Sequence, residues 1–223
     1  MPKVFKLKVE NYKTVRDAVF ENIRAAILNG YLKPGERIIE SQIAEEMEVS
    51  RTPVREALRR LEIEELVENL PRKGVIVARI NDNQIKEIFN IRGALEGLAV
   101  RLAIDNFDDE WINDLQKWIT DMEKAIDDGD LKKQVECNTQ FHNCILSKSN
   151  SPMLIQMVHN FQDKIQRYRQ QSLSLEGRPL ITVSEHKDIL NEIKERNKYG
   201  AELFIKKHIE KAGEALIMSM KQE

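Results

Sequence analysis

The chain has 223 residues, 41% hydrophobic and 32% charged, with nine glycines and six prolines. That excludes a disordered or collagen-like chain, favours helices over a β-rich fold and leaves room for two modules. The formal net charge is -2, so any nucleic-acid binding has to come from a local basic patch and not from bulk charge. No apolar run approaches the ~18 residues that a membrane span needs. The basic start, Met1 to Lys6, is not followed by the apolar stretch of a secretory signal. Cys137 and Cys144 fit reduced thiols better than a disulfide framework. These features predict a cytoplasmic protein with no membrane partner.

In chain order, residues up to Arg79 contain short helical stretches and a Pro34-Gly35 turn. A helix is expected at about Glu40–Met47, then a short Glu48-Val49-Ser50 turn, then a helix with Ser50 as N-cap and Pro53 tolerated in its first turn. On that helix Val54, Ala57, Leu58 and Leu61 fall on one side. Arg51, Thr52, Arg55 and Arg59 fall within an arc of roughly 100° on the other. Such a face is either solvated surface or a reader of the DNA major groove, where arginine reaches phosphates or guanine edges. The short turn has helix–turn–helix spacing. Acidic residues are expected to stay away from the Arg51/Arg55 end. Two β-like runs, Leu66–Asn69 and Val75–Ile80, flank Leu70-Pro71-Arg72-Lys73-Gly74 and predict a hairpin wing with Arg72 and Lys73 at its tip.

Beyond Asn81 almost everything reads as helix. Asn81 or Asp82 caps a helix to about Asp105, Asp108 or Asp109 opens the next, and Asp130 opens a third that ends near Ser149–Pro152. Further helices are expected at about Met153–Gln171, Thr182–Arg196 and Lys198–Lys221, with a loop at Ser172–Pro179. The fold class is therefore mainly α: a winged helix–turn–helix with a small β-hairpin over residues 1–79, and an all-helical bundle over 80–223. The short link at Arg79–Asp82 predicts that the two are mechanically coupled.

Of four histidines, His142, His186 and His208 lie beside apolar stripes on three different helices, with Asn138 one turn before His142. They are either separate hydrogen-bonded core residues or, with an oxygen donor, ligands of one divalent ion. His159 reads as structural or exposed, and Met153, Met157, Trp111 and Trp118 as core packing. Arg92 and Glu96 form an i,i+4 pair, which is either a surface salt bridge or the pocket side of the first bundle helix. Glu185 and Glu210 adjoin histidines but are expected off their faces. A three-histidine site could activate water, yet no Ser–His–Asp set, H-E-x-x-H motif or phosphate-cradling glycine loop accompanies it, so an enzyme is disfavoured. A plain protein-binding scaffold leaves the Arg/Thr face and the wing unexplained.

Tyr31–Ile38, Ile43-Ala44-Glu45 and Val49–Leu58 resemble the winged helix–turn–helix of GntR-type bacterial transcription regulators, except that Glu48 and Glu65 stand where glycine is common. The resemblance implies DNA contacts at Ser41, Ser50, Arg51, Thr52, Arg55, Arg72, Lys73 and Gly74. The bundle resembles the FCD-type ligand-binding domain of the FadR subfamily through Arg92-(x3)-Glu96, Phe141-His142, Asn150, Glu185-His186 and His208. In metal-binding members an Asp and three His hold Zn, Ni or Mn. The matching positions are Asn138, His142, His186 and His208, so a neutral amide replaces the usual carboxylate and affinity for a divalent metal should fall. Arg92, with Arg167 or Arg169 in second place, is the implied grip on a small organic-acid or sugar-acid effector. A homodimer on a palindromic double-stranded DNA operator, acting as a repressor released by ligand, completes what the resemblance implies.

Overall fold

The computed structural model describes residues 14–71 and 74–221, and the backbone alone over 161–170. It contains two compact units, Met1–Ile80 and Asn81–Glu223.

The first unit begins with α1 (Val15–Leu28), whose N-cap Thr14 accepts a hydrogen bond from the Asp17 amide. Next come β1 (Arg37–Ile38), α2 (Glu40–Glu46), α3 (Arg51–Ile63), β2 (Val67–Leu70) and β3 (Gly74–Val77). The apolar residues of α1 (Val19, Phe20, Ile23, Ile27) and those of α3 (Val54, Ala57, Leu58, Leu61) share one core with Ile43 and Met47. The stripe read from α3 is thus the buried one. The Arg60 guanidinium seals its edge, 3.9 Å from the Phe20 ring centroid and 2.8 Å from Asp17.

The expected hairpin forms from β2 and β3, and the wing is larger than expected by one strand. β1 adds a third strand, giving the antiparallel order β1-β3-β2 with Arg37 opposite Ile76 and Val67 opposite Val77. Two residues after a Pro-Gly turn are too short a run to show period two in a sequence, but they pair because Gly35 at φ +81 swings its amide onto the Val77 carbonyl, 2.8 Å away. Glu48 (φ 56) and Glu65 (φ 57) adopt the left-handed backbone that glycine would take without strain. Ser50 sits at the N-cap of α3, but its side chain makes no capping hydrogen bond.

The second unit is made of α4 (Asp82–Asp105), α5 (Asp109–Asp127), α6 (Leu131–Lys148), α7 (Pro152–Leu173), α8 (Arg178–Lys194) and α9 (Lys198–Met220). Asn81 opens α4 with a reciprocal capping box to Gln84, and Asp108, Asp130 and Asn197 cap α5, α6 and α9 through their side chains. α8 starts four residues earlier than expected. Gly177 turns the chain at φ 76, and Pro179 lies in the first turn, where its missing N–H is harmless. α4 packs along α9, and Gly213 permits the close approach: a Cβ there would lie 2.9 Å from the Phe89 ring. Met153 and Met157 are exposed and not core residues, because α7 turns that face outward, while Trp111 is buried.

Candidate functional site

The bundle brings its three histidines together. α6 supplies His142, α8 His186 and α9 His208, all buried, with ligand-capable atoms within 4.8 Å of one another. Phe141 stacks on the His186 ring at 3.9 Å between centroids and fixes its plane. His159 is exposed and takes no part.

Two buried carboxylates orient two of the imidazoles. Glu96 lies 2.6 Å from His142 Nδ1, and Glu185 lies 2.8 Å from His208 Nδ1. Each carboxylate is held by an arginine: Arg92 Nε donates to Glu96 over 2.5 Å, and Arg178 grips Glu185 with both terminal nitrogens at 3.3 and 2.9 Å. Lys211 approaches Glu185 as well, at 3.1 Å.

Burial outweighs the carboxylates at the imidazoles. It pulls His142 down to about 4, and it lowers His208 and, further, His186. Burial alone would raise the carboxyls, but Arg92 and His142 hold Glu96 far below the usual range, and His208 and Arg178 hold Glu185 at about 2. The rings are therefore neutral near pH 7 beside ionised carboxylates. The hydrogen-bond network then places each proton on Nδ1, donating to its carboxylate.

That assignment leaves His142 Nε2 and His208 Nε2 as bare lone pairs facing each other across 3.1 Å, with no proton to share. His186 Nε2, also buried, has no hydrogen-bond partner among the described residues. Three converging nitrogen donors, two of them with carboxylates behind their rings, suit a divalent transition metal, whose tetrahedral nitrogen ligands stand about 3.3 Å apart. Asn138 is buried and lines the same cavity, where its carbonyl can serve as the oxygen donor.

The cavity, about 30 Å³, is bounded by Arg92, Asn138, His142, His208, Arg178 and Thr182 over an apolar floor that includes Phe89. This is room for an ion with one or two waters. Arg92 Nη2, Arg178 Nε and the Thr182 hydroxyl are buried without hydrogen-bond partners among the described residues, so the walls offer unused donors. Arg92 lies on the pocket side of α4, not in a surface pair. The side chain of Arg167 lies outside the described residues.

Sequence reasoning missed Glu96 as a partner of His142, and it missed Glu185, Arg178 and Thr182. The expectation that Glu185 stands clear of the histidines fails because its partner is His208 on another helix, not its neighbour His186. Arg178 and Glu185, seven apart on one face of α8, were readable only with the helix start placed correctly.

On the winged unit Ser50, Arg51, Thr52 and Arg55 are exposed on the outer face of α3, Ser41 is half-buried and Gly74 opens β3 at φ 76. Arg72 and Lys73 lie outside the described residues. Acidic residues are not kept from this end: Glu40, in the first turn of α2, accepts hydrogen bonds from Arg55 Nε and Nη2 at 3.3 and 3.1 Å.

The pattern of the bacterial gntR-family regulatory proteins matches residues 15–77, and that of the FCD domain matches residues 87–211. The HTH-type transcriptional regulator YdhC of Bacillus subtilis (strain 168) is 33% identical over 190 residues, 85% of each chain. The HTH-type transcriptional repressor RspR of Escherichia coli (strain K12) is 23% identical over 209 residues, 94% of this chain and 91% of that one. In fold, the structure of E. coli McbR/YncC superposes with a TM-score of 0.72 at 24% identity, covering 95% of this chain and 99% of that one. Among the described residues no helix is long and apolar enough to cross a membrane. With both patterns matched in the same order, the chain belongs to the GntR family of bacterial regulatory proteins that carry an FCD domain, and it is a DNA-binding transcriptional regulator and not an enzyme.

Proposed function

We propose that this regulator is a cytoplasmic, homodimeric repressor whose bundle senses a small organic or sugar acid through a divalent metal. The residues that would hold the metal are Asn138, His142, His186 and His208. The supporting observation is the pair of Nε2 lone pairs 3.1 Å apart, each fixed by a carboxylate behind its ring. When bound, the ion supplies a Lewis-acidic positive centre that attracts a carboxylate oxygen.

The chain's own residues do the rest. Glu96 and Glu185 hold the tautomers and ring angles of His142 and His208. Arg92 and Arg178 cancel the charges of those carboxylates, so with a neutral Asn138 the site carries no negative charge against a divalent ion. The loaded pocket is then strongly positive and selects an anionic effector. The free donors of Arg92, Arg178 and Thr182 are placed to take its oxygens, with Arg167 a further candidate from α7. An organic acid held by these donors would contact α4, α8 and α9 at once, so its binding is placed to report to the rest of the bundle.

On the winged unit Ser41, Ser50, Arg51, Thr52, Arg55, Arg72, Lys73 and Gly74 form the DNA-facing set. A dimer places two α3 helices in successive major grooves of a palindromic operator. Effector binding shifts operator affinity by a coupling of typically 1–3 kcal/mol, and the name of the relative RspR supports repression as the sign.

Metal analysis of the purified protein, with operator titrations in the presence of chelator, Zn, Ni or Mn and a panel of organic acids, tests this reading. Stoichiometric metal that is lost in His186→Ala but kept in His159→Ala is the expected result. A metal-free protein whose melting temperature ignores all three ions would end the metal-sensing reading.

A further inference from the structure

Three arginines face outward from α3, and they are not equivalent. Arg51 and Arg59 form no ion pair among the described residues, whereas Arg55 is bound side-on by the Glu40 carboxylate through Nε and Nη2. A guanidinium has five N–H groups. The Glu40 contact occupies the Nε edge, which leaves both Nη1 hydrogens and one on Nη2. Those form the flat end of the fork, which matches the O6/N7 edge of guanine in the major groove.

Phosphate could accept the same fork, but charge separates the two targets. Arg55 paired with Glu40 is close to neutral overall, and the carboxylate repels an arriving phosphate. A guanine edge is uncharged and feels no such penalty. The pair is exposed in the free protein, Arg55 by 59% and Glu40 by 30%, so water weakens it there. Stacked DNA would exclude that water and strengthen the hold. Arg51 and Arg59 keep their full charge and suit the backbone.

Resting on the reading that α3 enters the groove, we propose that Glu40 is a positioning residue for Arg55, holding it so that its free end reads a guanine in each operator half-site instead of neutralising a phosphate.

The test uses the full-length protein and duplexes with a randomised ~20-base-pair centre, wide enough for two half-sites one helical turn apart. Selected duplexes are then titrated across a salt series. A guanine should be enriched at one position per half-site. Arg55→Lys should lose preference there by roughly ten-fold or more while other positions stay selective. Glu40→Gln should bind every duplex more tightly, with a salt slope steeper by about one phosphate, and should discriminate less at that guanine. A Glu40 that acts only through its charge or through folding would leave the discrimination at that guanine unchanged, so that readout decides the positioning role.

If Arg55→Ala instead weakens all duplexes equally and flattens the salt slope by about one phosphate, Arg55 lies on the backbone and the inference is overturned while the groove assignment stands. Unchanged guanine preference in Glu40→Gln overturns the positioning role. If no duplex is enriched by the wild-type chain, the groove assignment itself falls. Arg55 is exposed and Glu40 half-buried at the surface, so circular dichroism should show each variant folded.

Discussion

The winged unit and the helical bundle each pair arginine with glutamate, under opposite conditions. Arg55–Glu40 stands at the surface, where an ion pair contributes about 0–1 kcal/mol and the far edge of the guanidinium stays open to water. Arg92–Glu96 and Arg178–Glu185 stand inside the bundle, where neither charge can return to water and each depends on the other. The first arrangement suits a surface side chain that is held on one edge and keeps the other edge free. The second suits a fixed frame that holds imidazoles at set angles. The same residue pairing is thus a surface contact in one place and a buried frame in the other, and depth of burial sets the difference.

The sharpest way to break this contrast is to delete one carboxylate from each pair. Glu96→Ala leaves Arg92 charged and buried without its partner, and should destabilise the bundle by about 3–5 kcal/mol in chemical denaturation. Glu40→Ala should change stability by no more than about 0.5 kcal/mol. Similar losses at the two positions would mean that burial does not govern them.

A smaller effect is expected from the milder change Glu185→Gln, which keeps an oxygen near His208 but removes its charge. Metal affinity, read by competition with a chromophoric chelator, should drop about 10- to 100-fold. Arg55→Ala should leave it unaltered. Metal removal comes next. Saturating chelator should lower the stability of the bundle by about 2.7 kcal/mol relative to metal at a hundred times its dissociation constant. Hydrogen exchange should locate that loss in α6, α8 and α9, with amide protection in α1 and α3 unchanged. The smallest change is a gain: Glu48→Gly should relieve left-handed strain and stabilise the winged unit by about 1 kcal/mol.

The two regions also differ in how much of them could be read from the sequence. α3 shows its two faces through local spacing: four apolar residues at helical period are buried and turn its arginines outward. Helices α4, α5, α6 and α9 announce their beginnings with Asn81, Asp108, Asp130 and Asn197 for the same local reason. The convergence of His142, His186 and His208 was legible as a possibility, since each sits on an apolar stripe. What was hidden is long-range. Glu96 meets His142 across 46 positions of chain, and Glu185 meets His208 across 23, so no window of sequence holds either pair. Strand β1 was invisible because two residues carry no periodicity, and the Arg55–Glu40 pair because it joins two helices across a turn.

Gly213 carries a consequence for the bundle that no charged residue does. The Phe89 ring fills the volume that a methyl group would need there, and the same ring forms part of the cavity floor. The α4–α9 approach and the cavity wall therefore share one ring. An alanine at that position would press on the ring without touching one donor atom, and on the effector reading proposed above it should alter the preference among acids of different girth.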